Sequence, residues 1–324
     1  MAGAGIHPIL KVTQQKAPLS ILRPEGSALY RAGVSYCWDN IGVVYLYLVK
    51  SVLCLYILSM KVGFYQFVPE FGNVEKNIQT MVNAVKAADA DLIVFPELAT
   101  SGYLFLEQKE VEETASAVPG PLSDAFSKVA AEKNSAVVVG FPEKADGVYY
   151  NSALIATPDG KVQVYRKNHL YNEEKLFFKP GNLGFPTFEV KGVKVGVLIC
   201  FDHMFPESAR TLALEGVQIV CHPANLVLPG FAQITSCSRA LENGVFWILA
   251  NRHGTENRKG RSLSYSGLSR IVDNRGKVLV SAGADDTGFY GVEIDPAKAL
   301  DKKVAPLADL FADRRPELYN EITK

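Results

Sequence analysis

A chain of 324 residues has room for one large domain or two small ones. With 48% apolar and 21% charged residues it has the balance of an ordinary globular protein, which excludes a disordered or fibrous chain. Its 34 basic residues match its 34 acidic ones, so no global field marks nucleic acid as a partner.

Residues 1–59 stand apart from the rest. They carry Lys11, Lys16, Arg23, Arg31 and Lys50 against only Glu25 and Asp39, and residues 1–40 show no clear helix or strand period. Residues 41–59 then form an apolar stretch broken only by Lys50. Its length falls within the roughly 17–25 residues that span a bilayer. A central lysine costs about 2.5–3.5 kcal/mol on insertion, which the surrounding Leu, Val and Ile offset. A cleaved signal peptide fits badly, because a long segment precedes the apolar run and no A-x-A site follows it. Three readings stay open: an extension outside the chemistry, a membrane-associating segment, or an accessory element packed on the body. The expected division is an extension over 1–59 and one domain over 60–324.

From Met60 the chain alternates short apolar runs with amphipathic stretches. Strands are predicted at Val62–Phe67, Leu92–Phe95, Ala136–Phe141, Ser152–Thr157, Val193–Ile199, Ile219–His222, Trp247–Ala250, Ser266–Val272, Val278–Ser281 and Gly288–Glu293. Helices are predicted at Val74–Ala88, Leu122–Lys133, Pro206–Leu214 and Gln233–Asn243. In the first of these, Ile78, Met81, Val82 and Val85 make one apolar face. Turn residues at Pro158–Lys161 and Asp273–Lys277 predict two hairpins. Early strands separated by helices, followed by hairpins, imply mixed α/β sheets rather than a pure dinucleotide-binding pattern.

Cys37, Cys54, Cys200, Cys221 and Cys237 contain no C-x-x-C pair, which excludes zinc-ribbon and thioredoxin motifs. A reducing compartment, hence the cytoplasm, is the expected location, with membrane association through 41–59 as the alternative. A metal site from Cys200, His203, Cys221 and His222 fits no compact tetrahedral spacing, so neither a metal nor a cofactor is expected. There is no G-x-S-x-G elbow, P-loop or G-x-G-x-x-G after a strand, so serine-hydrolase and nucleotide chemistry lack their anchors.

Three reactive side chains lie just beyond apolar strands: Glu97, Lys167 and Cys200. Strand ends hold a group rigid on one side and open on the other. Cys200 precedes a helix expected near Pro206, and a positive helix end or an ammonium group there would lower its thiol pKa. The plain alternative is a buried structural cysteine. Glu97 is a candidate base; His203 reads better as a packing or supporting residue than as one.

Taken together, Phe95-Pro96-Glu97, Tyr165-Arg166-Lys167-Asn168-His169-Leu170 and Ile199-Cys200-Phe201-Asp202-His203-Met204-Phe205-Pro206-Glu207 resemble the three signature segments of the nitrilase superfamily of carbon–nitrogen hydrolases. The resemblance runs from Met60 to about Tyr319 and includes His222–Leu226 and Arg239–Asn243. It implies a four-layer α-β-β-α sandwich and a Glu97–Lys167–Cys200 site. In that site Glu97 moves protons, while Lys167 and the Phe201 backbone N–H hold the oxyanion. It also implies a second glutamate after the lysine, with Glu174 the better match than its neighbour Glu173. Tyr103, Phe201, His203 and Asn225 are the implied substrate contacts. The expected substrate is a small amide or N-carbamoyl compound, with a nitrile as the rival and an inactive scaffold as the remote one. A homodimer or larger even-numbered assembly is implied as well, with residues 310–319 resembling the tail that packs on the partner; the plain alternative there is a solvated charged end.

Overall fold

The computed structural model describes residues 59–324. The apolar stretch 41–59 therefore lies, apart from Ser59, outside the described residues. Among the described residues no helix is long and apolar enough to cross a membrane.

The first half of the body alternates strands and helices. Strand β1 (Met60–Gln66) leads to α1 (Val74–Ala87), β2 (Leu92–Val94), α2 (Gln108–Thr114), α3 (Pro121–Lys133) and β3 (Ala136–Ala145). The α1 helix forms because Asn73 caps Lys76 N–H with its side-chain oxygen, and Glu75 and Lys86 sit at the ends that suit their charges. Strands β4 (Val148–Ala156) and β5 (Val162–Arg166) then fold back as a meander through the predicted 158–161 turn. A single turn, α4 (Glu174–Phe177), closes this half.

The second half repeats the plan. After β6 (Thr187–Val190) come β7 (Val193–Val197), α5 (Pro206–Leu214), β8 (Ile219–Ala224), α6 (Phe231–Asn243) and β9 (Phe246–Asn251). A hairpin of β10 (His253–Arg258) and β11 (Arg261–Ser266) stands outside both large sheets. Strands β12 (Arg270–Val272), β13 (Val278–Ser281) and β14 (Gly288–Ile294) follow.

Two six-stranded sheets result, ordered β14-β1-β2-β3-β4-β5 and β13-β12-β9-β8-β7-β6. In each, three parallel strands are flanked by antiparallel ones. Period-2 alternation sorts the faces. Leu92 and Val94 join Val195 and Val197 in the one core between the sheets, whereas Ile93 and Phe95 turn outward into the cluster that holds Met81, Val85, Phe126 and Val129 of α1 and α3. Leu212 and Ala240 bring α5 and α6 against the second sheet, which completes the order helix, sheet, sheet, helix.

The predicted strand 266–272 is in fact two. Gly267 and Leu268 both adopt φ of 58°, which breaks the extended chain between β11 and β12. The β10–β11 hairpin escapes prediction because its strands are polar on both faces, HGTENR and RSLSYS. Its turn is set by Lys259 and Gly260, both at positive φ.

Candidate active site

The carboxyl ends of the parallel strands open on one rim, and the candidate residues collect there. Glu97 lies just past β2, Lys167 directly past β5, and Cys200 just past β7. The turn carrying Glu97 rests against β3 at Gly140. A Cβ there would stand 2.4 Å from the Pro96 carbonyl oxygen and 2.6 Å from the Glu97 Cα, so only glycine admits this close approach.

Glu97 and Lys167 are fully buried and paired. The Lys167 ammonium donates to Glu97 Oε1 at 2.7 Å and to Glu174 Oε1 at 2.8 Å. Asn151, from the middle of β4, donates to Glu97 Oε1 at 2.7 Å. Tyr103 donates its hydroxyl to Glu174 Oε1 at 2.6 Å. Glu174 therefore meets the lysine, whereas Glu173 turns outward to Arg261 at 2.7 Å. Burial pulls the Lys167 ammonium down, but the carboxylates of Glu174 and Glu97 more than reverse this and hold it charged. Burial pushes the Glu97 carboxyl above the ordinary range, helped by Glu174 and opposed by Lys167. Among the described residues Glu97 Oε2 has no hydrogen-bond partner.

Cys200 opens a tight 3-10 turn, Cys200–Met204, and itself adopts φ of 42°. A left-handed cysteine is a strained backbone position of the kind that gathers at working sites. Asp202 holds the turn. Its carboxylate accepts from Ile199 N–H at 2.9 Å and Tyr165 hydroxyl at 2.7 Å, and from His169 N–H at 3.0 Å. From below, His222 Nε2 donates to the Cys200 carbonyl oxygen at 3.0 Å while its Nδ1 accepts from Trp247 at 3.2 Å. These partners assign the neutral tautomer, in keeping with burial holding His222 well below its ordinary value. The expected lowering of the thiol pKa is not found. Burial pushes the Cys200 thiol well up, and Glu97 adds to this against the pull of Lys167. Helix α5 begins only at Pro206, with the 3-10 turn between it and Cys200. The upward direction favours the protonated thiol.

Beside Cys200 is a cavity of about 160 Å³, whose walls include Phe201, His203 and Asn225. Asn225, just past β8, donates to the Glu97 carbonyl oxygen at 2.8 Å and so ties the two halves together at the rim. His203 shares a hydrogen bond with Thr235 at 2.6 Å, and burial brings its pKa down to about 4, so it stays neutral. Tyr103 lines an adjoining recess of about 120 Å³ rather than the cavity of the thiol.

This is a buried acid–base pair beside a thiol. Residues 61–301 match the family described as carbon-nitrogen hydrolase. The chain belongs to that family. Over 264 residues it is 41% identical to a nitrilase of Pyrococcus abyssi, covering 80% of this chain and 99% of that protein. It is 34% identical to an (R)-stereoselective amidase of Pseudomonas sp over 82% of this chain and 95% of the relative. A carbon-nitrogen hydrolase of Helicobacter pylori G27 superposes with a TM-score of 0.72 at 26% identity, over 83% of this chain and 99% of the other. The chain is a carbon–nitrogen hydrolase of the nitrilase and amidase type, with the fold of that superfamily.

Two contributors to the hydrolase site are absent from the sequence reading. Asn151 is the one amide side chain in a largely apolar strand, which is itself a signal for a buried polar contact. Glu256, on β10, accepts from Leu104 N–H at 2.7 Å, Tyr103 N–H at 3.1 Å and Tyr265 hydroxyl at 3.2 Å, and pairs with buried Arg252. It thereby holds the loop that presents Tyr103 to Glu174. Its polar hairpin carries no periodicity to reveal it.

Proposed function

We propose that the chain hydrolyses a small non-peptide amide or N-carbamoyl bond through a thioester on Cys200. The observation that supports this most directly is Glu97: one carboxylate oxygen is fixed by Lys167 and Asn151, and the other, among the described residues, is unpartnered. A base of that form has one anchored oxygen and one left to carry a proton.

The neutral thiol makes the proton transfer part of the attack. Glu97 takes the Cys200 proton as the sulfur adds to the carbonyl carbon. Lys167 and the Phe201 backbone N–H face the negative charge that gathers on oxygen, where one donor is worth about 2.7–4 kcal/mol. Glu97 then returns the proton to the departing nitrogen, and ammonia or an amine leaves with the C–N bond broken. Water enters and adds to the thioester carbonyl as Glu97 removes its proton; Glu97 returns that proton to the departing sulfur, leaving free thiol and a carboxylic acid, or a carbamic acid from an N-carbamoyl substrate. Glu174 keeps Lys167 charged and aimed throughout.

Nitrile hydrolysis by the same three residues is the second reading, supported by the nitrilase name of the archaeal relative. Ammonia release over matched primary amides, N-carbamoyl compounds and nitriles tests the order. Amides or N-carbamoyl compounds are expected to outrun their nitrile counterparts; release from nitriles alone overturns the amide reading.

The domain is proposed to begin at Met60. A chain starting there is expected to fold and to keep the full-length rate, and loss of either would make residues 1–59 a working part of the enzyme. A homodimer or larger even-numbered assembly is proposed too, supported by Leu307, Leu318 and Ile322, which lie largely in solvent near the C-terminus.

A further inference from the structure

The cavity beside Cys200 has a one-sided lining. Tyr171, Phe201, Met204, Leu226, Val227 and Phe231 make up most of its wall, and Leu228 joins them. Polar groups enter through Cys200, His203 and Asn225, and among the described residues no Asp, Glu, Lys or Arg lines it. His203 is engaged by Thr235, and the Asn225 amide nitrogen by the Glu97 backbone. The Asn225 side-chain oxygen, buried and unpartnered among the described residues, remains to meet an N–H donor such as an amide nitrogen.

Size sharpens the point. A dry apolar cavity of roughly 150 Å³ accepts benzene, and this one holds about 160 Å³. Around it Met204, Leu228 and Phe231 are 40%, 46% and 50% exposed. Large apolar side chains left half in water beside an opening form a surface that a bound apolar group completes. The adjoining recess shares Tyr171 and Val227 with the cavity, and its cation, Arg261, is already paired with Glu173.

Deepening the hydrolase reading and resting on it, we propose that the cavity takes an uncharged, apolar acyl group up to about the size of a phenyl ring. The substrates are then short aliphatic or aromatic primary amides, not ω-amides bearing a carboxylate or ammonium. A charged tail set against these walls would lose its water and find no partner. Each methylene that fits adds about three- to fourfold in kcat/KM until the cavity is full.

The test compares acetamide, propionamide, isobutyramide and benzamide with succinamate and glutamine. Rates are expected to climb along the uncharged series, with both charged amides at least about 100-fold below benzamide. Phe231→Ala, at a half-exposed position, should lower kcat/KM for benzamide about tenfold more than for acetamide. A second readout needs no turnover. In Glu97→Gln, benzamide should slow iodoacetamide labelling of Cys200 and succinamate should not. If no amide is hydrolysed yet protection follows this order, the hydrolytic reading fails and the apolar pocket stands. If succinamate is hydrolysed fastest or protects best, the apolar pocket is overturned with hydrolysis intact.

Discussion

Cys200→Ala is expected to abolish turnover, by roughly 10⁴-fold or more, while the protein stays folded. The change removes one sulfur atom whose single hydrogen-bond contact is a long one, 4.0 Å to the Asn225 carbonyl oxygen. It adds no backbone strain, because the left-handed φ of 42° is as uncomfortable for alanine as for cysteine. The loss is complete because alanine leaves the carbonyl with no attacking atom. Cys221→Ala and Cys237→Ala are the controls. Cys221 is wholly buried in the second sheet, where burial alone acts on its thiol and neither Glu97 nor Lys167 bears on it. Cys237 lies on α6. Both variants should keep most of the rate, measured as ammonia release beside a thermal melt. Equal losses from all three would end the assignment of Cys200.

Lys167→Met is expected to cost at least about 100-fold in kcat, since one oxyanion donor supplies 10²–10³. The stem remains and the charge goes. Glu97 and Glu174 then face each other across the site without the cation that separates them. Removing one partner of a buried pair costs about 3–5 kcal/mol unless a carboxylate takes up a proton. The sign follows from that charge: without the ammonium, the protonated form of Glu97 gains. Its pKa, already raised by burial, moves further up, and the acid limb of kcat/KM shifts to higher pH. The thiol pKa rises too, so iodoacetamide labelling of Cys200 slows at neutral pH. Lys167→Arg should fare almost as badly, because a planar guanidinium does not fit where an ammonium meets two carboxylate oxygens at 2.7 and 2.8 Å. Unchanged labelling together with ordinary kcat in Lys167→Met would reduce Lys167 to a structural ion-pair residue.

The strand ends were the legible part of this molecule. Leu92-Ile93-Val94, Val162–Arg166 and Val193–Val197 announce themselves by composition, and a polar reactive residue at the end of each marks one rim. The Glu173 and Glu174 ambiguity was beyond sequence, because adjacent residues differ only in which way a single helical turn points them. The protonation of Cys200 was beyond it as well. Proximity to a lysine can be inferred from strand order, but the thiol answers first to burial, then to Glu97, and only after these to the opposing pull of Lys167. Glu256 illustrates the third limit: it acts across more than 150 residues of chain, from a hairpin whose sequence shows no apolar alternation.

The division of labour between the two halves gives the hydrophobic core an unexpected duty. Glu97 and Lys167 come from the first sheet, Cys200 and Asn225 from the second. Their spacing is therefore set where β1, β2 and β3 pack across the core onto β8 and β9, well beneath the rim. A strand advances about 3.3 Å per residue, so a slip of one step between the sheets exceeds the reach of a hydrogen bond. Even 1 Å of misplacement can cost about 100-fold in rate. The aliphatic side chains packed there touch no substrate and carry no proton. They are the gauge block against which the distance from base to sulfur is measured.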